Sequence, residues 1–137
     1  MYYEVTSSRV VMDAKGNDRA TTENYLVDNA VLFAEAETAV LLLYNMENDV
    51  VAVKRSNVHS VINKPKDDDS IYLSTIEEVL VDDVGKETKT KTIVAIYAKS
   101  IEEATKVTKD YISTWINDAT LVGVKKSKFV DVVKYNE

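Results

Sequence analysis

The chain has 137 residues, of which 45% are apolar and 29% are charged, a composition typical of a globular protein that buries its own core. It has no cysteine, which excludes disulfides, thiolate catalysis and cysteine-based zinc sites. The net charge of −6 disfavours nonspecific binding to a phosphate backbone, so a nucleic-acid site would have to be a local basic patch. The first residues do not resemble a signal peptide and no apolar run is long enough to span a membrane, so we expect a soluble cytoplasmic protein.

The first half predicts two strands, a helix and a third strand. Residues 2–12 are rich in β-branched and aromatic residues and lead into a turn at Gly16, and the return strand covers about residues 20–27. A helix is predicted from about Leu32 to Met46, followed by a long strand over residues 50–62. Apolar residues recur at helical spacing and would form one face of this helix: Phe33, Ala36, Val40 and Leu43.

The second half predicts the same order of elements. Residues 63–70 hold the only proline and a run of charges, which favours a linker. Strands are predicted at 71–81 and 89–97, and Ser100 begins a helix because a glutamate follows three residues later, as in a capping box. A final strand covers residues 119–135.

A repeated stretch connects the two halves. Residues 53–62 and 124–133 share a start of valine, lysine, a basic residue and serine, apolar residues follow in both, and the two stretches are 71 residues apart. The turns also match, because Asp13 and Gly16 have counterparts in Asp82 and Gly85. We therefore predict one α+β domain over residues 1–137. It would be a tandem internal duplication of a ββαβ unit, with repeats at 1–62 and 71–137, about six strands, and two helices packed on the sheet.

Three short runs carry a family resemblance, namely YLVDNA at 25–30, FAEAE at 33–37 and VKRSN at 53–57. With them the chain resembles an uncharacterised family of small proteins, a domain of unknown function, from bacteriophages and prophages of Bacteroides-type gut bacteria. The resemblance implies phage origin and intracellular expression, and it supplies no catalytic residue. The family tends to have serine or threonine before the first helix, whereas this chain leaves Asp28 or Asn29 as candidate caps.

Metal binding and catalysis have little support in the residue pattern. The acidic run at 67–69, with Asp82 and Asp83, lacks the alternating ligands and distal glutamate of a calcium loop, so we read it as solvated charge and predict no metal site. The single histidine, His59, aligns with Val130, which favours a half-buried packing position over catalysis. The adjacent carboxylates of the Glu77–Glu78 and Glu102–Glu103 pairs point to different sides of their elements. No glycine-rich phosphate loop is present, so we predict a protein without cofactor or enzymatic activity.

The leading binding hypothesis concerns the basic residues of the repeated stretch. Lys54 and Arg55 match Lys125 and Lys126, with Lys128 close by, and these five would neutralise the phosphates of single-stranded nucleic acid or another phosphate-bearing ligand. Six tyrosines on or beside predicted strands would offer rings for stacking on bases: Tyr2, Tyr3, Tyr25, Tyr72, Tyr97 and Tyr135. The alternative interpretation is that the cations balance nearby carboxylates and the tyrosines fill a core.

A protein-interaction role is the rival hypothesis. The acidic surface or an exposed strand edge would contact a host or phage protein, either as an accessory factor or as a structural part of the virion. Strand addition between copies would give a homo-oligomer.

Overall fold

The computed structural model describes residues 2–136. Its elements in chain order are β1 (Tyr3–Met12), β2 (Asp18–Asp28), α1 (Phe33–Leu41), a 3-10 turn (Leu42–Tyr44), β3 (Asp49–Arg55), β4 (Val58–Val61), β5 (Ser70–Val81), β6 (Glu87–Ala98), α2 (Ile101–Ile112), β7 (Asp118–Lys126) and β8 (Phe129–Lys134). Within the described residues the fold is therefore α+β with two helices and eight strands in two sheets. The predicted α+β class and the two helices are confirmed, but the prediction of six strands is wrong.

The two missing strands arise because each long predicted strand is interrupted. The stretch predicted at 50–62 ends as β3 at Arg55 and restarts as β4 at Val58, and the stretch at 119–135 is interrupted in the same way between β7 and β8. At both interruptions a serine N–H bonds to the start of an earlier strand, from Ser56 to the Tyr2 carbonyl and from Ser127 to the Ile71 carbonyl, each at 2.9 Å. Apolar residues lie on both sides of each interruption, so the sequence shows no local change in pattern.

The chain forms two compact units, the first comprising residues 2–57 and 128–136 of the described part and the second residues 58–127. The sheet of the first unit has the order β3-β1-β2-β8, and that of the second has the order β7-β5-β6-β4. In each, the central hairpin is antiparallel, the third strand is antiparallel to the first, and the outer strand is parallel to the second. The outer strand of each unit thus follows, in sequence, the third strand of the other unit.

The hairpin loops have the turn chemistry that the sequence predicts. The Asp13 carboxylate accepts N–H groups of Lys15 and Asn17, both at 2.9 Å, and these bonds lower the pKa of Asp13. Asp82 accepts two backbone N–H groups in the same way. The two loop glycines, Gly16 and Gly85, have φ of 82° and 83°, a conformation that is unfavourable for residues with a Cβ atom.

The helices begin by different means. Ser100 accepts the Glu103 N–H at 3.1 Å, so the predicted cap of α2 is confirmed. The N-cap of α1 is Leu32, whose side chain has no hydrogen-bonding atom, and the Glu35 carboxylate bonds the Leu32 N–H at 3.0 Å instead. The predicted caps of α1, Asp28 and Asn29, are therefore wrong. The Glu35 N–H, which would donate to the hydroxyl of a serine or threonine cap, donates to the Leu32 carbonyl at 3.1 Å, so α1 begins without a side-chain cap.

Each helix packs against its own sheet and buries small or β-branched residues. The core of the first unit joins Ala36, Ala39 and Val40 of α1 to Tyr3, Val5, Tyr25 and Val27. The core of the second unit joins Ala104 of α2 to Tyr72, Ile76, Val94 and Ile96. No helix within residues 2–136 has the length and apolar character needed to cross a membrane.

Candidate binding site

Two of the three predicted basic residues of the first unit, Lys54 and Lys128, lie beside a carboxylate. The ammonium groups of Lys54 and Lys128 lie 3.7 and 3.4 Å from the Glu4 carboxylate, which also accepts the Ser56 hydroxyl at 2.8 Å. The guanidinium carbon of Arg55 lies 6.0 Å from the centre of the Phe33 ring. Two of the five residues predicted to bind phosphate therefore share the Glu4 carboxylate as their counter-ion.

Lys125 and Lys126 occupy a different electrostatic environment at the end of β7. Both are exposed, and neither forms an ion pair within the part of the chain that the structure describes. The sheet register explains the difference, because Lys54 is paired with Glu4 across its ladder whereas Lys125 is paired with Leu73. Lys125 and Lys126 are the predicted site residues best able to attract an anionic partner.

A groove runs between β7 and α2 in the second unit. It encloses about 580 Å³ and is lined by residues 121–124 of the strand and by Ile101, Glu102, Thr105 and Lys109 of the helix. Residues 101, 105 and 109 recur every four positions, which places them along one flank of α2. Ile101 is 45% exposed and Val122 is 52% exposed, so the groove presents apolar surface to solvent.

The floor of the groove is an edge strand. β7 pairs with β5 on one side only, so within the described residues its other side has no strand partner. The register shifts opposite Thr75 and Ile76, and Val122 is left out of the ladder as a bulge. An unpaired strand edge beside a groove is an arrangement that accepts an extended polypeptide. Sequence reasoning missed the groove because it depends on how α2 packs beside β7.

A second concave surface of this unit lies at the far end of α2. It encloses about 450 Å³ and is lined by His59 on β4, Glu78 on β5, Thr92 on β6 and residues 114–117 after the helix. The Glu78 carboxylate accepts the side-chain amide of Asn117 at 3.1 Å. His59 is exposed, so the half-buried packing position predicted for it is wrong. We call this surface the Glu78 hollow.

The first unit contains a polar network on the helix side of its own sheet. Arg9 donates to the Glu23 carboxylate at 2.8 Å, its guanidinium carbon lies 4.3 Å from the centre of the Tyr44 ring, and Tyr44 donates to Glu23 at 3.2 Å. The hydroxyls of Tyr44 and Tyr25 are 2.7 Å apart. The bond to Glu23 raises the pKa of Arg9, and burial raises the pKa of Tyr25 far above its ordinary value. Both groups stay protonated at neutral pH.

These features define a two-unit α+β protein whose described surfaces include a groove beside an edge strand and a polar hollow. A family model described as Domain of unknown function (DUF4494) matches residues 1–135, and the chain belongs to that family. The predicted membership of an uncharacterised domain family is thereby confirmed. Comparisons with curated proteins and with solved structures gave no match.

Proposed function

We propose that this protein is a non-enzymatic binding protein that takes an extended segment of another polypeptide along the edge of β7. The observation that carries the proposal is the groove of about 580 Å³ between this edge strand and α2. A bound segment would form backbone hydrogen bonds with β7, and every second side chain would enter the groove.

Charge selects the kind of segment. Lys109 lines the groove, and Lys125 and Lys126 continue β7 beyond it, whereas Glu102 is the one carboxylate in the lining. The apolar lining requires apolar side chains at alternate positions, and the three ammonium groups favour carboxylates between or beside them. The partner is therefore an extended segment in which apolar and acidic residues alternate.

A peptide array tests this proposal. Labelled peptides of about eight residues alternate apolar residues with glutamate, and a matched set carries lysine in place of glutamate. We expect the acidic set to bind, and we expect Ile101→Glu, at the first helical position where a carboxylate suits the helix dipole, to abolish binding. Val84→Glu, at a loop residue that is 88% exposed, is the matched control.

Two results of the array would contradict the proposal: equal binding of both peptide sets, or binding that survives Ile101→Glu. Light scattering of the purified protein tests whether the segment bound beside β7 comes from a second copy of this chain or from a different protein. With a second copy, the chain would self-associate, and the same substitution would return it to a monomer.

A second candidate function is the binding of single-stranded nucleic acid or another phosphate-bearing ligand through Lys54, Arg55, Lys125, Lys126 and Lys128. The exposure of Lys125 and Lys126 without an ion-pair partner within residues 2–136 favours it. Their ammonium groups would replace counter-ions on the phosphates, so binding would weaken as salt rises.

An oligonucleotide titration at low and high salt tests the second candidate. We expect salt-sensitive binding that Lys125→Glu with Lys126→Glu abolishes, and a smaller loss for Lys54→Glu because the Lys54 ammonium already faces Glu4. Absence of binding at low salt would exclude this function.

The two units have the same order of strands around their helix, which bears on the origin of the chain. We propose that both units descend from one copied ββαββ unit whose outer strands were exchanged, and that the protein works in the cytoplasm of a bacterium carrying a phage or prophage. The common sheet order and the matching hairpin loops support the duplication. The family resemblance of the sequence supports the phage origin.

A further inference from the structure

In the first unit, Glu23 and Tyr44 surround the guanidinium group of Arg9, and we call these three residues the Arg9 network. The carboxylate of Glu23 accepts a hydrogen bond from Arg9 at 2.8 Å, and the ring of Tyr44, from the segment after α1, lies 4.3 Å from the guanidinium carbon. An ion pair and an aromatic face thus act on one cation from two directions.

The Glu78 hollow occupies the corresponding place in the second unit. Arg9 lies three residues before Met12, the last paired residue of β1, and Glu78 lies three residues before Val81, the last paired residue of β5. On the return strands, Glu23 and Thr92 are each five residues after the first paired position. The hollow therefore has a carboxylate where the first unit has its arginine.

The hollow has the same two kinds of group that hold Arg9 in the network, a carboxylate and an aromatic ring, but no arginine or lysine is among the described residues that line it. Glu78 provides a carboxylate that forms no ion pair within the described residues, and Trp115, from the segment after α2, provides the aromatic ring. The hydroxyls of Thr92 and Thr114 add hydrogen-bond acceptors. An open volume of about 450 Å³ remains between these groups.

We propose that the Glu78 hollow binds the guanidinium group of an arginine side chain on a partner polypeptide. The planar guanidinium matches the two oxygens of the Glu78 carboxylate and stacks on the Trp115 ring, whereas an ammonium group matches neither as well. The hollow shares no lining residue with the groove beside β7, so this proposal does not depend on the proposed function.

Tryptophan fluorescence provides a direct test, because Trp115 is the only tryptophan of the chain. The probe is N-acetyl-arginine amide, titrated at constant ionic strength. The controls are the neutral citrulline analogue, which has nearly the same shape, and the lysine analogue. We expect a saturable change in fluorescence with the arginine probe, a weaker response to lysine and none to citrulline. A response to citrulline equal to that to arginine, or equal responses to arginine and lysine, would overturn the proposal.

Substitutions assign the response to the hollow. Glu78→Gln keeps the shape and removes the charge, and we expect it to weaken binding by about tenfold or more, the loss expected for a charge-assisted hydrogen bond. Glu77→Gln is the matched control, because the neighbouring Glu77 carboxylate faces Lys89 at 3.9 Å. Unchanged affinity in Glu78→Gln would refute the assignment.

A third variant copies the first unit into the second. Glu78→Arg with Thr92→Glu places an internal guanidinium and carboxylate at the positions of Arg9 and Glu23. We expect an altered Trp115 emission without any ligand and no further response to the arginine probe. A variant that folds and still responds like the wild type would contradict the proposed correspondence between the two units.

Discussion

The buried hydroxyl pair in the core of the second unit permits a quantitative test of the packing. Ser74 and Thr108 are fully buried, with their hydroxyl oxygens 2.7 Å apart, and Thr108 also donates to the Ala104 carbonyl at 2.8 Å. A hydroxyl has one proton, so when Thr108 donates to Ala104 it is Ser74 that donates to Thr108. The two side chains are therefore not equivalent.

This asymmetry sets the expected free energies of unfolding. Thr108→Val leaves the Ser74 proton without a partner in a dry core and should destabilise by about 1–3 kcal/mol. Ser74→Ala leaves the Thr108 bond to Ala104 intact and should cost about 0.5–1.5 kcal/mol. Removing both hydroxyls, by Ser74→Ala with Thr108→Val, leaves no unpaired proton and should be nearly neutral; the matching positions of the first unit are also apolar, Val5 and Val40, and both are fully buried.

Urea unfolding followed by circular dichroism measures these differences, with hydrogen exchange of the second unit as a check that the loss is local. The double variant should be more stable than Thr108→Val alone, and because the two single costs add while the double cost is near zero, the coupling energy should be about 1.5 kcal/mol or more. Wild-type stability of Thr108→Val, or simple addition of the two single effects, would refute the reasoning.

Three further predictions concern other parts of the chain. Tyr44→Phe removes bonds to Glu23 and Tyr25 and should lower the free energy of unfolding in urea by about 1–2 kcal/mol; wild-type stability would contradict this. Burial raises the pKa of Tyr25 in the folded state, so the free energy of unfolding falls as the pH rises past the ordinary tyrosine pKa of about 10, where the unfolded chain loses this proton first. Tyr25→Phe should flatten the fall in stability between about pH 9 and 11, and an unchanged slope would contradict this. Deleting residues 128–137 removes β8 and should reduce hydrogen-exchange protection in β2, its ladder partner, more than in β5.

Local chemistry explains why much of the fold was predictable. The hairpin loops depend on an aspartate that accepts amides a few residues ahead and on a glycine with positive φ, so Asp13 and Gly16 indicate the turn without any distant contact. Ser100 likewise caps α2 through an amide three residues away. The start of α1 was not predictable from the same rule, because Leu32 has no side-chain acceptor and the Glu35 carboxylate instead bonds back to the Leu32 N–H.

The candidate sites were less predictable because each depends on contacts distant in sequence. Lys54 and Lys128 are basic residues of the kind that bind phosphate, yet both lie beside the Glu4 carboxylate, which is fifty or more residues away in sequence. The groove beside β7 and the Glu78 hollow are created by helix and strand packing that no short motif encodes. Lys125 and Lys126 belong both to the predicted set and to β7, the strand that borders the groove beside α2.

The prediction of one continuous strand over residues 50–62, and of another over residues 119–135, is wrong, and the error has a physical cause. The first part of each stretch is the end of an edge strand. The serine N–H then donates to a carbonyl at the start of a neighbouring strand, and the chain continues as an outer parallel strand in the sheet of the other unit. Both halves of the stretch need β-branched residues, so the hydrophobic pattern continues through the interruption while the hydrogen-bond partners change. Under the proposed duplication, this stretch stays recognisable in both copies because it serves two sheets at once. A ββαβ half on its own would lack the fourth strand of its sheet, and the pairing of β2 with β8 and of β6 with β4 supplies what each half lacks.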